Sequence, residues 1–226
     1  MYCGRFVGVP MISIDEVTRK ILDRRATIPA TRSLVVGLSG IDGSGKGYVA
    51  AQLEARLALH SVTPAILNVD GWLNLPEKRF DSGAPAEHFY KNAIRFDEFF
   101  TQLAIPLRDR RSVHLVADFA EETASRYRKH TYDFKDVSVV VIEGIFLFKP
   151  QYRDLFDLAI WIDCSFSTAL ARAIDRGQEG LSPANTIAAY ETIYFPAQRI
   201  HLSQDKPLEK ADVIFDNDVY STRCSF

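Results

Sequence analysis

Short apolar runs alternate with amphipathic stretches along most of the sequence. Apolar runs bounded by polar turns predict buried strands, and apolar residues spaced three and four apart predict helices that bury one face. The predicted strands are 34–36, 64–69, 112–119, 137–142, 158–163 and 211–215. The predicted helices are 13–22, 47–60, 97–107, 165–176 and 184–201, the last with a kink or break at Pro196. This alternation predicts an α/β fold with parallel strands and right-handed crossovers.

Two segments interrupt the alternation. Residues 74–91 mix Pro, Gly and charged residues with aromatic ones, which predicts a loop over the ends of the strands. Residues 121–134 are polar, and their pattern leaves open whether they form a hairpin arm or a loop.

Composition and charge then narrow the class of protein. The chain has 226 residues, 47% of them hydrophobic, which predicts one domain over 1–226 with an N-terminal helical extension at 1–30. The formal net charge is −2 and no long basic run occurs, so nucleic acid is not expected as a partner. No run approaches the ~20 apolar residues of a membrane span, and the three cysteines lack metal-site spacing. We therefore expect a cytoplasmic protein with no membrane partner; whether it forms a homo-oligomer is left open.

The strongest chemical signal follows the first predicted strand. Strand, glycine-rich turn and helix is the context of a phosphate-binding P-loop, here running from Gly40 to Gly47. Glycines let successive N–H groups point into one hollow, and the helix N-terminus adds unpaired donors and a positive dipole end. The lysine of the loop can then reach the outer phosphates. The predicted nucleotide-binding residues are Gly40, Asp42, Gly43, Ser44, Gly45, Lys46, Gly47 and Tyr48.

The last motif position departs from the P-loop pattern. P-loops carry Ser or Thr there, whose hydroxyl ligates Mg²⁺, whereas this chain has Gly47. A glycine-rich turn without a ligand and a GxGxxG dinucleotide loop are the other interpretations, but the latter would need a glycine at Tyr48. The complete strand–loop–helix context and Lys46 favour the P-loop.

Two carboxylates stand at the ends of predicted strands. Asp70 follows 64–69, and Glu143 follows 137–142, which is apolar on both faces and therefore predicted to lie inside the sheet. Ligands of parallel α/β sheets bind at the carboxyl ends of the strands. Asp70 can accept a proton from a substrate hydroxyl or help to hold a metal, and Glu143 can hold Mg²⁺. The alternative for Asp70 is a turn residue before Gly71.

Two arginines precede a short predicted lid. Arg172 and Arg176 share one helix face, and residues 177–183 predict the lid. Arginines in this position can clamp phosphates, so both are candidate catalytic residues with Lys46 and Asp70. Surface salt bridges are the alternative role.

Taken together, these residues resemble the uridine kinase and phosphoribulokinase group of P-loop kinases from about Leu34 to Asn217. The resemblance rests on GLSGIDGSGKG, the strand-end Asp70, FDEFFTQL, VVIEGIFLF with Glu143, RDLFDLAIWID and KADVIFDN. It implies a three-layer P-loop NTPase sandwich with a mainly parallel five-stranded sheet and an arginine-bearing lid. It also implies transfer of the ATP γ-phosphate, with Mg²⁺, to a hydroxyl of a small molecule such as a nucleoside, a sugar or pantothenate.

The chain also departs from uridine kinases where the resemblance implies nucleoside recognition. Uridine kinases carry Tyr-Asp-Phe and a nearby His, whereas this chain has Ala117-Asp118-Phe119 with neither Tyr nor His beside it. The motif Asp70-Gly71-Trp72 is similar to the Asp-Gly-Phe of bacterial pantothenate kinase. The leading hypothesis is therefore a small-molecule kinase of unsettled acceptor. A nucleotide-binding regulatory module, which Gly47 favours, and simple ATP hydrolysis are the alternatives.

Overall fold

A five-stranded parallel sheet lies at the centre of the computed structural model, which describes residues 12–177 and 180–218. Its strands have the order β2-β5-β1-β6-β7. Their bounds are β1 Leu34–Gly40, β2 Ala65–Asn68, β5 Val139–Gly144, β6 Leu158–Asp163 and β7 Val213–Asp216. Strands β3 (Val113–Phe119) and β4 (Arg128–Phe134) form a separate antiparallel hairpin. The segment 121–134 therefore contains both a connecting loop, up to residue 127, and the second arm of the hairpin.

The sheet is covered by helices on both faces. Every residue of β1 and β5 is buried, as expected for interior parallel strands. Val17 and Ile21 of α1 (Ile14–Thr27) pack with Leu53 of α2 (Lys46–Ala58) on one face. A second cluster of buried apolar side chains packs the remaining large helices on the opposite face. The predicted three-layer α/β sandwich is thus confirmed.

The remaining helices cover the second face and the ends of the strands. They are α3 Pro76–Arg79, α4 Pro85–Asn92, α5 Phe96–Phe99, α6 Ile105–Arg110, α7 Pro150–Arg153, α8 Phe166–Arg176, α9 Pro183–Ala189, α10 Phe195–Gln204 and α11 Pro207–Lys210. Two π-helical segments, Phe100–Ala104 and Tyr190–Tyr194, join α5 to α6 and α9 to α10 without a loop. Pro196 lies in the first turn of α10 directly after the second π segment. Pro196 has no N–H to donate to the preceding turn. The helix accommodates this with a π-helical turn, which takes the place of the predicted kink or break.

The loop prediction for residues 74–91 was wrong. This segment contains α3 and α4, each with a proline in its first turn. Proline fits this position because its missing N–H is not needed there and its φ already suits a helix. The prolines therefore begin two helices in a segment whose composition had predicted a loop.

The segment predicted as a lid is only partly described. Helix α8 ends at Arg176 and is followed by Gly177 in a left-handed conformation, and α9 is capped by Ser182, whose Oγ accepts from the N–H of Asn185. Residues 178 and 179 lie outside the described residues, so the lid at 177–183 stays a prediction. No helix in the described ranges is long and apolar enough to cross a membrane.

Candidate active site

The glycine-rich turn bends β1 directly into α2. Gly43 and Gly45 have φ values of 77° and 88°, in the left-handed region that glycine adopts without strain. A Cβ on Gly43 would lie 2.5 Å from the carbonyl oxygen of Ala169, so the turn also needs glycine for close packing. Gly45 precedes α2 and supplies no side-chain cap, which leaves the first N–H groups of the helix available to an anion.

Lys46 is the first residue of α2, and its side chain lies in a cleft above the turn. It is 9% exposed, and its Nζ donates to the carbonyl oxygen of Ile41 at 3.0 Å. That carbonyl belongs to the same turn, so the ammonium group already lies against the loop that would surround a phosphate. This placement is the one that the P-loop motif requires of its lysine.

Asp70 and Glu143 enter the same cleft from neighbouring strands. Glu143 on β5 lies in register with Asn68 at the end of β2 and with Leu38 on β1. Asp70 lies in a 3₁₀ turn, Val69–Gly71, where its N–H donates to Asn68 Oδ1 at 2.7 Å. The parallel sheet therefore brings two carboxylates that are distant in sequence to one edge.

Both carboxylates have raised pKa values. Burial raises the pKa of Asp70 to about 7; Lys46 opposes the shift, and the negative charges of Asp42, Glu122 and Glu143 add to it. Burial likewise raises the pKa of Glu143, again opposed by Lys46. An aspartate with a pKa near neutrality can take up and release a proton under physiological conditions.

The cleft has a volume of about 380 Å³ and two sides. The P-loop side consists of Asp42, Gly43, Gly45, Lys46, Gly47, Tyr48, Arg172 and Arg176. The β2 side consists of Asn68, Asp70, Leu73, Arg79, Phe89, Glu122, Ile145 and Tyr194. Glu143 lies between the two sides, close to both Gly47 and Asn68.

Arg172 has a structural use that its sequence position did not predict. Its Nη1 donates to the carbonyl oxygen of Ser44 at 3.1 Å, and its Nη2 donates to that of Asn217 at 2.7 Å. The Asn217 amide also donates to Ser44 O at 2.7 Å. Arg172 therefore braces the P-loop from behind while its side chain still borders the cleft.

Arg176 contacts the loop through Asp42. Its Nη2 lies 3.6 Å from Asp42 Oδ1, and Tyr190 donates from its hydroxyl to Asp42 Oδ2 at 2.8 Å. Asp42 thus ties the P-loop to α8 and to the π segment between α9 and α10.

The other predicted nucleotide-binding residues differ in position. Tyr48 is 67% exposed at the edge of the cleft. Gly40 and Ser44 lie beneath the turn and do not border the cleft; a Cβ on Gly40 would lie 2.6 Å from Ile162 O. The Ser44 N–H already donates to Ile41 O at 3.1 Å. Contact of Gly40 or Ser44 with a nucleotide stays a prediction.

Most of the β2 side was not singled out from the sequence. Of the aromatic residues Trp72, Phe80, Phe89 and Tyr90 in this part of the chain, only Phe89 borders the cleft. Arg79, Glu122 and Tyr194 come from α3, from the turn after β3 and from the segment before α10. No short motif links residues so far apart, so the sequence held no local signal for them.

The cleft residues are compatible with Mg²⁺ in the presence of a nucleotide. Asp70 and Glu143 supply carboxylate oxygens, the donors that Mg²⁺ prefers, and Mg²⁺ sites commonly take only one or two carboxylates together with phosphate and water. No group of three or more acidic, His or Cys side chains suited to a metal occurs within 12–177 and 180–218. These two carboxylates therefore fit a metal shared with a bound phosphate better than a site made by protein alone.

The parallel sheet and the lysine-bearing loop define a P-loop nucleotide-binding fold. The model of the phosphoribulokinase / uridine kinase family matches residues 35–216, and the chain belongs to that family. A uridine kinase of Staphylococcus aureus is 28% identical over 186 residues, which cover 80% of this chain and 86% of that protein.

Solved structures agree with this assignment. A possible uridine kinase from Bacillus stearothermophilus superposes with a TM-score of 0.71 at 25% identity, covering 90% of this chain and 97% of that one. A D-glycerate 3-kinase from Cryptococcus neoformans gives a TM-score of 0.59 at 11% identity, covering 82% and 87%, and shares the fold. Kinases of this family use ATP, normally with Mg²⁺.

Proposed function

We propose that the chain transfers the γ-phosphate of ATP to a hydroxyl of a small molecule. The observation that carries this proposal is the meeting of Lys46, Asp70 and Glu143 in one cleft at the P-loop. Phosphoryl transfer needs phosphates held in place, charge neutralised and a hydroxyl positioned, and these three side chains offer the groups for all three tasks.

Asp70 is the proposed general base. Its carboxylate accepts the proton of the attacking hydroxyl as the new P–O bond forms and ADP leaves. Its place in the cleft at the end of β2, within electrostatic reach of Lys46, supports this role.

The proposed nucleotide contacts come from the P-loop side. The N–H groups at the start of α2 would bind phosphate oxygens, and Lys46 would balance the charge that moves to the leaving phosphate. Arg172 acts mainly by fixing the loop. Arg176 borders the cleft and lies 3.6 Å from the Asp42 carboxylate, and it would bind a phosphate oxygen in place of that carboxylate. Mg²⁺, held by Asp70 and Glu143, would neutralise phosphate charge and orient the oxygens.

The acceptor, the extent of the domain, the lid and the location also belong to the proposal. The acceptor class is a nucleoside, a sugar or a pantothenate-like alcohol. The sequence next to Phe119 lacks the Tyr and His of uridine kinases, although the ring of His130 on β4 lies 5.1 Å from that of Phe119. A single kinase domain over 1–226, the lid at 177–183 and a cytoplasmic location stay predictions.

A screen of ADP release tests the proposal. Purified protein and Mg-ATP would be incubated with a panel of nucleosides, sugars and pantothenate, and ADP would be measured against an acceptor-free control. We expect release that depends on at least one alcohol. Tight Mg-ATP binding without any acceptor-dependent release would instead support the regulatory module that Gly47 favours.

A further inference from the structure

Arg79 is a buried arginine on the β2 side of the cleft. It ends α3, is 3% exposed and borders the cleft. Its Nη2 donates to the carbonyl oxygen of Glu122 at 2.6 Å, and its Nε has no hydrogen-bond partner. One backbone carbonyl is thus its only hydrogen-bond partner within the described residues.

The charge of Arg79 is poorly compensated for its degree of burial. Burial lowers the pKa of its guanidinium, although nearby Tyr194, Glu122, Tyr127 and Glu77 oppose the shift. No carboxylate in the described ranges lies within ion-pair distance of it. A buried charge is costly unless it is paired, and a guanidinium presents five donors that suit a carboxylate or a phosphate.

The surroundings of Arg79 are suited to binding an anion. Phe80 lies against its guanidinium, with Cζ 5.2 Å from the ring centroid, and Phe80 stacks on Phe89. Phe89 and Tyr194, whose rings are 5.0 Å apart, border the same part of the cleft. Arg79 itself is only 3% exposed, and an ion pair is stronger where water is excluded.

Arg79 and Asp70 border the same side of the cleft, away from the P-loop that would hold the nucleotide. A ligand whose anionic end binds Arg79 could therefore present a hydroxyl to Asp70 while the P-loop side stays available to ATP.

We propose that the phosphate acceptor is an anionic alcohol whose carboxylate or phosphate ester binds Arg79. This inference rests on the proposed function, because it assigns the substrate class of the same cleft. A neutral alcohol would leave the buried guanidinium without its partner, and sites built for a hydrogen bond reject analogues that lack it.

Matched pairs of acceptors test the proposal. The carboxylate pairs are glycerate with glycerol and pantothenate with panthenol; the phosphate pair is ribose 5-phosphate with ribose. For the preferred pair we expect kcat/KM for the anionic member to exceed that of the neutral one by roughly 10–100-fold, the range expected for a hydrogen bond to a charged group. The pair that shows this ratio tells whether the anion is a carboxylate or a phosphate.

Variants separate recognition from a purely structural role. Arg79→Gln should remove the preference by lowering kcat/KM for the anionic member alone, and Arg79→Lys should keep part of it. Arg95→Gln is the control: the Arg95 side chain is 7% exposed and donates to the carbonyl oxygen of Asp118 at 2.6 Å, but it pairs with Glu98 and does not border the cleft. We expect Arg95→Gln to change thermal stability and leave the preference intact.

Each outcome has a definite meaning. Equal turnover of both members of every pair, or an equal loss for both in Arg79→Gln, overturns the inference while the kinase function stands. If no acceptor releases ADP, calorimetric titration of the same pairs into the ADP complex decides: tighter binding of an anionic member that Arg79→Lys weakens supports the inference, and no anionic binding overturns it. Failure to bind ATP at all would instead overturn the proposed function.

Discussion

The two sides of the cleft are built in different ways. The P-loop side comes largely from one continuous stretch, the turn from β1 into α2, with Arg172 and Asn217 fixing it from behind. The β2 side is gathered from α3, α4, the turn after β3 and the segment before α10. The first side provides backbone N–H groups and one lysine, which suit the phosphates of any nucleoside triphosphate. The second places single side chains, which suit one particular acceptor.

This difference predicts that changes on the two sides will have separable effects. A defect on the P-loop side should reduce the binding of ATP. A defect on the β2 side should reduce transfer or acceptor choice while ATP still binds.

The largest effect is expected for Asp70→Asn. The amide keeps the shape of the side chain but cannot accept the proton, and the loss of a general base costs roughly 10²–10⁴ in rate. Acceptor-dependent kcat should fall by that factor. Asp133→Asn, at a half-exposed position on the β3–β4 hairpin, is the control and should leave kcat unchanged. Normal turnover in Asp70→Asn would reduce Asp70 to a turn residue.

Lys46→Ala should have the next largest effect. Removing one preorganised donor to a developing charge costs about 10²–10³ in rate, and kcat/KM for ATP should fall accordingly while the circular dichroism spectrum is retained. Lys91→Ala, which removes a lysine that is 66% exposed, serves as the control. If Lys46→Ala bound and used ATP normally, the P-loop assignment would be wrong.

A smaller change is expected for Gly47→Ser. A Cβ on Gly47 would lie 3.5 and 3.6 Å from the two oxygens of Glu143, an ordinary contact distance, so the side chain fits. Its hydroxyl would stand beside the Glu143 carboxylate and could replace a water on the metal. We expect a severalfold lower Mg²⁺ concentration for half-maximal ATP binding, measured by titration, whereas Gly47→Ala, which adds only the methyl, should not change it. Equal Mg²⁺ dependence in all three proteins would mean that the metal lies away from residue 47.

A further effect, on stability and not on activity, concerns the pH dependence of the protein free of nucleotide and Mg²⁺. The pKa of Asp70 is raised from 3.8 to about 7, so between these pH values the folded chain keeps a proton that the unfolded chain has lost. Stability from this group therefore falls as pH rises through that window. Asp70→Asn removes the dependence, and its melting temperature should rise relative to wild type from pH 4 to pH 7.5. A constant difference between the two melting curves over this range would contradict the raised pKa.

The difference between the two sides of the cleft also explains which features could be predicted from the sequence. The five sheet strands, the buried pattern of β5 and the position of Lys46 follow from local runs and one contiguous motif. Arg79 could not be predicted, because its burial depends on the turn after β3, where the carbonyl oxygen of Glu122, 43 residues further along the chain, accepts its hydrogen bond. The helices within 74–91 were missed because proline can either interrupt a helix or start one.

The central claim is that nucleotide binding and acceptor chemistry are separate properties of the two sides. Calorimetric titration of Mg-ATP into Asp70→Asn and Lys46→Ala tests it most directly. The account predicts an ATP affinity close to wild type for Asp70→Asn, because the asparagine oxygen, Glu143 and the phosphates can still hold Mg²⁺. It predicts an affinity weaker by about tenfold or more for Lys46→Ala, since a charge-assisted contact to phosphate is lost. Equal weakening of ATP binding in both variants would contradict it.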